Sequence, residues 1–413
     1  MLMIGPPVAS ELLSKINERR VLEFVQRNGP ASRAVMARGS GMSAPTVSKA
    51  VASLIRSGFL EETEALKSGF GRPGKLLQVS EDKANVLGIV IDADTCWIGS
   101  ARLDGAVSKE HSLSFGTPKS YDDLLKAVIN GLGEITGQAK DDLSGRFRGV
   151  GLSVPGLFNS RVGETVMSPN LHLLDRQRLA ADLSNEIGLQ CIALQESHAL
   201  CVGERMYGAA RGMNDFAMLD VSTGLGLGIV SGGHLLTGNS GMAGELGHIT
   251  VVPDGQRCGC GNRGCLETVA TDTAFARLIS KELGRKVGVR EALAALAVNG
   301  TEEVITQTVD YLAIAVAAVI NIFNPATLFL HGQLMNSDPA IFKRVVKQAK
   351  KRTLSPSFKD CRILQSQGNK RLGAVAGIID HLANELAPAF ATIDTRNAER
   401  TSNHESPKLR NTL

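Results

Sequence analysis

The chain has 413 residues, 43% hydrophobic and 21% charged, with 44 Gly scattered through it without a period. That length calls for two or three domains rather than one core, and the composition excludes a collagen-like or wholly disordered chain. The net charge of +4 is uneven: residues 1–80 carry 11 Lys and Arg against 6 Asp and Glu, leaving −1 elsewhere, the electrostatic footprint of a nucleic-acid module.

Met1–Pro7 has neither the basic start nor the apolar run of a secretory signal. A first helix is expected over Glu11–Asn28, with Leu13, Val21, Phe24 and Val25 on one face and Gly29-Pro30 ending it. Ser32 should cap a short helix carrying Val35 and Met36, stopped by Gly39 and Gly41. Ser43 should cap a third helix, Ala44–Ser57, with Val47, Val51, Leu54 and Ile55 as its buried stripe. Phe59–Glu62 and Lys75–Val79 read as short strands around a basic, glycine-rich turn holding Gly-Arg72-Pro-Gly.

Two helices joined by a glycine turn, then a hairpin, form a winged helix-turn-helix, which lays its second helix in the major groove. Only the first turns of that helix reach base edges, so Ser43, Pro45, Thr46, Ser48 and Lys49 are the candidate readers. Arg72 is placed to enter an adjacent minor groove from the wing. A small helical domain that binds another protein is the blander alternative; the capped helix, the basic wing and the charge excess together favour double-stranded DNA.

From about Val86 strands alternate with helices, which reads as two α/β lobes. Val86–Ile91 and Cys96–Leu103 are a hairpin, Tyr121–Ile135 a helix, and Arg148–Val154 a strand ending in Pro-Gly. Phe216–Val221 and Gly228–Val230 flank a glycine loop. The apolar stretch from Tyr311 is long enough to suggest a membrane span, but Asn321, Asn324 and Pro325 interrupt it. A buried helix to Phe323 and a buried strand Ala326–Leu330 are expected instead. The domains are therefore read as 1–82, 83–390 and a disordered tail, 391–413.

Cys96, Cys191, Cys201 and Cys361 stand alone in apolar surroundings, as reduced core residues do. The other three cluster, ten residues and more after an imidazole: His248, then Cys258-Gly-Cys260-Gly-Asn-Arg-Gly-Cys265. Three thiolates and a histidine match tetrahedral zinc, and four protein ligands make a closed, structural site. This usage suits a reducing cytoplasm.

The segment from Ser222-Thr-Gly-Leu-Gly-Leu-Gly through Ala243-Gly-Glu245-Leu-Gly-His248 to Cys265-Leu-Glu267 resembles the signature of the ROK family of repressors, open reading frames and sugar kinases. Ser153-Val-Pro-Gly156 and Ser168-Pro-Asn170-Leu match two more family elements, and the likeness runs from Val86 to Leu386. The N-terminal head resembles the family's regulator branch. The resemblance implies a two-lobed actin-like fold with the ligand between the lobes, in a homodimer or homotetramer. It also implies a sugar pocket of Gly156, Asn170, Glu196, Glu245, His248 and Glu267, with a zinc loop over 245–267. Carboxylates and amides converging on one cleft are what a polyhydroxylated ligand needs. His248 would hold the metal through one ring nitrogen and face the sugar through the other.

Kinases of the family carry Asn-Asp, the Asp acting as base, where this chain has Gln195-Glu196. The extra methylene moves the carboxylate by roughly 1 Å, which costs ~10²-fold in rate. Their Asp-x-Gly-Gly-Thr phosphate loop reads Asp92-Ala-Asp94-Thr-Cys96 here, with an acid where a phosphate would sit. His331-Gly332 replaces a Gly-Gly near the adenosine. The expectation is therefore a cytoplasmic repressor of carbohydrate genes that senses a sugar or sugar phosphate without ATP chemistry. An ATP-dependent hexose or amino-sugar kinase is the alternative.

Overall fold

The computed structural model describes residues 6–64, 75–138, 140–297 and 300–386. Arg72 and the expected tail from residue 391 lie outside the described residues.

The head consists of α1 (Pro6–Asn28), α2 (Arg33–Ser40), α3 (Ala44–Arg56) and the antiparallel strands β1 (Leu60–Glu64) and β2 (Lys75–Val79). Ser32 and Ser43 cap their helices by accepting from the amides of Val35 and Thr46, as their positions suggest. Three details differ from the sequence reading. Helix α1 begins at Pro6, and Leu13 is 59% exposed, so its buried face is Val21, Leu22 and Val25. Val35 is also exposed, leaving Met36 as the anchor of α2. Gly39 lies inside α2, which ends at Gly41 (φ 67°); a Cβ on Gly39 would come within 2.4 Å of the Phe24 ring. Its role is close packing against α1, not termination.

Leu54 is fully buried on α3 among Val21, Met36, Val51 and Leu77. Leu54→Ala should destabilise by about 2–5 kcal/mol, read as an earlier urea midpoint with unchanged slope.

The body repeats one topology. In the first lobe, β3 (Asn85–Val90), β4 (Thr95–Arg102) and β5 (Val107–Gly116) form an antiparallel meander. After α4 (Tyr121–Thr136), β6 (Phe147–Val154) pairs parallel to β3. A small hairpin follows, β7 (Leu157–Asn159) with β8 (Glu164–Met167). Beyond α5 (Leu179–Ile187), β9 (Cys191–Gln195) pairs parallel to β6, and α6 (Glu196–Tyr207) leads out of the lobe. The strand order is β5-β4-β3-β6-β9.

The second lobe has the same plan. A meander of β10 (Phe216–Asp220), β11 (Gly226–Ser231) and β12 (His234–Leu235) is followed by α7 (Asp272–Glu282), α8 (Val289–Ala294) and α9 (Glu302–Phe323). Then come β13 (Thr327–His331), α10 (Gln333–Ser337), α11 (Pro339–Arg352), α12 (Ser355–Asp360) and β14 (Arg362–Gln365). The order is β12-β11-β10-β13-β14, with the last two pairings parallel. Two lobes of one topology are the arrangement of an actin-like fold. The last helix, α13 (Lys370–Leu386), returns to the first lobe, where Ile378 meets Gly149 and Gly151 of β6.

Helix α9, whose apolar composition raised the membrane question, is the spine of the second core, with Leu312, Val316 and Ile320 buried against Phe275, Leu328 and Val345. Among the described residues it is the single helix long and apolar enough to cross a membrane. Cys96, Cys201 and Cys361 are buried as expected, and Cys191 is half-buried.

Candidate functional site

The cysteine segment has little regular structure of its own and is held by backbone hydrogen bonds. Leu266 N donates to Ile249 O, and Cys258 N donates to Asn262 O, closing a tight knuckle. This brings His248, Cys258, Cys260 and Cys265 together, their ligand atoms all within 4.8 Å of one another. Cys260 Sγ lies 3.7 Å from Cys265 Sγ, and Cys258 Sγ lies 3.7 Å from His248 Nδ1. A tetrahedron with metal–sulfur bonds of 2.3 Å and metal–nitrogen bonds near 2.0 Å has edges of roughly 3.5–3.8 Å. The cluster has the donor set and the spacing to hold a metal ion. His248 presents Nδ1 to the thiols and Nε2 to Glu245, whose Oε2 is 3.7 Å away. One imidazole therefore links the metal cluster to the neighbouring cleft.

That cleft opens between the lobes and is lined by Gly156, Asn170, Glu196, Glu245, His248 and Glu267. They come from five places in the chain: the β6–β7 turn, the loop after β8, the start of α6, and the two flanks of the cysteine segment, with Glu245 and His248 on one and Glu267 on the other. Glu267 Oε2 accepts from Leu225 N at 3.0 Å, possible because Gly224 has no Cβ, which would stand 2.7 Å from that oxygen. Glu245 Oε1 accepts from Gln195 Nε2 at 2.8 Å. Three further buried atoms at the cleft, Ser168 Oγ, Gln195 Oε1 and Ser197 Oγ, have no hydrogen-bond partner among the described residues. Buried polar atoms are ordinarily satisfied, so a pocket that concentrates unsatisfied ones is suited to a ligand rich in hydroxyls.

On the other side of the cleft the carboxylates are already engaged. Lys370 Nζ, at the start of α13, donates to Asp92 Oδ2 at 2.9 Å and to Glu196 Oε1 at 2.6 Å. Burial pushes the Glu196 carboxyl up to about 7, against the pull of the Lys370 ammonium. Asp220 accepts from Ser222 and from His331 Nδ1 at 2.9 Å; burial would raise it, but the His331 ring holds it below the usual carboxylate range. Burial raises Asp272 to about 6, and its two oxygens cap α10 through the amides of Gln333 and Leu334. Asp94 is exposed. Gly228 lies in a strand as expected, and the glycine loop is shorter than the sequence suggests because β11 already begins at Gly226.

Lys370 and Gln195 complete the polar network; the sequence marks Gln195 only as the neighbour of Glu196, and Lys370 not at all. Lys370 is 278 positions from Asp92 and 174 from Glu196, so no local pattern relates them. The available signal was indirect, a cation in the first turn of a helix, where the macrodipole disfavours it.

In the head, Ser43, Pro45, Ser48 and Lys49 are exposed at the start of α3, and Thr46 is half-buried. Ser43 Oγ is 2.7 Å from Thr46 Oγ1 and receives the Thr46 amide, so these two hydroxyls are shared between capping and any other contact.

The sequence profile of the ROK family matches residues 87–380, and that of the MarR family matches residues 15–67. The chain is 27% identical to the xylose repressor of Bacillus subtilis over 91% of this chain and 97% of that protein. It is 26% identical to the DNA-binding transcriptional dual regulator NagC of Escherichia coli, over 83% and 87% respectively. Among solved structures it is similar to a ROK family transcriptional regulator, a homologue of the Escherichia coli MLC protein. The TM-score is 0.75 at 25% identity, covering 91% of this chain and 98% of that one. The fold is also shared with a ROK family glucokinase from Streptomyces griseus, TM-score 0.62 at 21% identity, covering 73% of this chain and all of that one.

Proposed function

The chain belongs to the ROK family, and on that premise we propose that it is a sugar-responsive, DNA-binding repressor of carbohydrate-metabolism genes. The observation that carries the reading is the cleft itself. Carboxylates, an amide, an imidazole and three unpartnered polar atoms converge there, in a chain whose other end is a winged helix. The names of the relatives, xylose repressor and NagC among them, point the same way.

In this reading Gly156, Asn170, Glu196, Glu245, His248 and Glu267 hold the sugar. Zinc is the metal, because three thiolates and one imidazole at tetrahedral spacing are its preferred set. It contributes a fixed charge and a fixed ring tautomer; His248, Glu245 and Glu267 do the recognising. The start of α3, with Ser43, Pro45, Thr46, Ser48 and Lys49, reads the major groove, and Arg72 the minor groove. Domain limits of 1–82 and 83–390, a cytoplasmic location and a homodimer or homotetramer complete the proposal. A symmetric pair of heads would match a two-fold operator.

Phosphoryl transfer has no place in it. A general base must sit within reach of the attacking hydroxyl, and phosphates need a close backbone approach. Glu196 is one methylene longer than the Asp of the kinases, and Asp94 stands where their phosphate loop has Gly.

The test is fluorescence anisotropy of DNA from upstream of the chain's own gene, with D-xylose and N-acetyl-D-glucosamine as probes. Binding at low salt that weakens at least tenfold with one sugar is the expected outcome, a coupling of about 1.4 kcal/mol. Absence of DNA binding at low salt sinks the reading. ADP release that rises with sugar and vanishes in Glu196→Ala would establish the kinase instead.

A further inference from the structure

Lys370 has a side chain that is 12% exposed, its ammonium shared between Asp92 and Glu196. As a stabilising device the arrangement is poor. A buried ion pair recovers little more than its desolvation cost, and a cation in the first turn opposes the helix dipole. What distinguishes the residue is the helix it begins. Helix α13 runs for 17 residues, about 25 Å, from the cleft to the head. At its far end Asn384 Oδ1 accepts from Arg19 of α1 at 2.5 Å. Ile379 and Leu382 share one core with Val21, Leu22 and Val25 of α1.

The cleft and this rod are also joined sideways. Helix α6 begins with Glu196 and crosses α13 at Gly203 and Gly373, where the backbones touch. A Cβ on Gly373 would lie 2.7 Å from the Ala199 carbonyl, and one on Gly203 would lie 3.1 Å from Gly373 Cα. Interiors packed this closely transmit displacement rather than absorb it.

We propose that Lys370 is the positioning residue through which a sugar in the cleft reaches the DNA-binding head. The proposal rests on the sensing function above. A sugar hydroxyl donating to Glu196 competes with the ammonium for the same carboxylate. The hold on the first turn of α13 then changes, and the far end of the helix carries α1, and with it α3, to a different resting position. The sugar shifts a population to the extent that it binds one arrangement more tightly than the other.

Hydrogen–deuterium exchange on the full chain tests this, with D-xylose and N-acetyl-D-glucosamine as probes. In the native protein one sugar should slow exchange over 245–267 and also change it over 19–28 and 379–386. Lys370→Met should keep the protection of the metal loop and lose the change over 19–28, while Lys370→Arg keeps both. Asp92→Ala, which removes the second anchor but leaves the Lys370–Glu196 pair, should diminish the response over 19–28; it decides the matter if Lys370→Met does not fold. A full native response over 19–28 in Lys370→Met or in the Asp92 variant overturns the proposal. So does loop protection without any change over 19–28 in the native chain. No loop protection by either sugar removes the sensing reading, and this one with it.

Discussion

Cys265→Ala should lower the metal content from about one ion per chain towards none and destabilise the second lobe by more than about 4 kcal/mol. The size follows from what else holds the loop. Residues 249–265 contain no helix or paired strand, only isolated bridges such as Thr250–Cys265 and Arg257–Arg263. Cys265 is fully buried beside Leu266, and Leu266 belongs to the core that includes Leu246 and Ala270. Without the metal, three thiols and an imidazole within 4.8 Å lose the ion that justifies their approach. The damage should extend to sugar binding, because His248 belongs to the same cluster and Glu267 follows Cys265 by two positions. Cys361→Ala provides the contrast: also buried, but alone in the core, it should cost about 1 kcal/mol and leave metal content unchanged. Elemental analysis with thermal unfolding on both variants separates the cases. Equal melting temperatures would show that the cluster is not a structural metal site.

The parts that were legible in the sequence are those whose signals are local. Ser32 and Ser43 announce their helices because a hydroxyl before an apolar-periodic run has one capping geometry. The candidate metal cluster is legible because its four donors fall within eighteen residues of one another. Failures came where long-range packing overrides a local rule. Gly39 looks like a helix stop, yet its missing Cβ makes room for the Phe24 ring. Leu13 fits the apolar period of α1 but lies beyond the core it would join. Lys370 was invisible for the same reason. Its partners come from β3's loop and from α6, and only the return of α13 to the first lobe brings them within hydrogen-bond reach.

The carboxylate at Glu245 offers the sharpest test of where a sugar would sit. Its Oε1 is held by Gln195 and its Oε2 faces His248, so it is aimed before any ligand arrives. A pre-positioned carboxylate can accept from two neighbouring hydroxyls, each charge-assisted bond contributing about 1.5–3 kcal/mol. Glu245→Ala removes both acceptors and leaves the Gln195 amide without its partner. Affinity for the responsive sugar should fall by roughly 10²–10³-fold, equivalent to about 3–4 kcal/mol, by isothermal titration. Stability should change far less, because deleting a half-buried carboxylate also removes its desolvation cost. Asp94→Asn is the matching control. Asp94 is also a carboxylate, but an exposed one on the phosphate loop, and its loss should leave sugar affinity unchanged. If the two substitutions weaken sugar equally, the ligand lies across the phosphate side and the assignment to the metal-braced face fails. If only Glu245 matters, recognition belongs to the wall built by His248 and Glu267, and Lys370 stands at its opposite edge, touching the ligand's surroundings through Glu196.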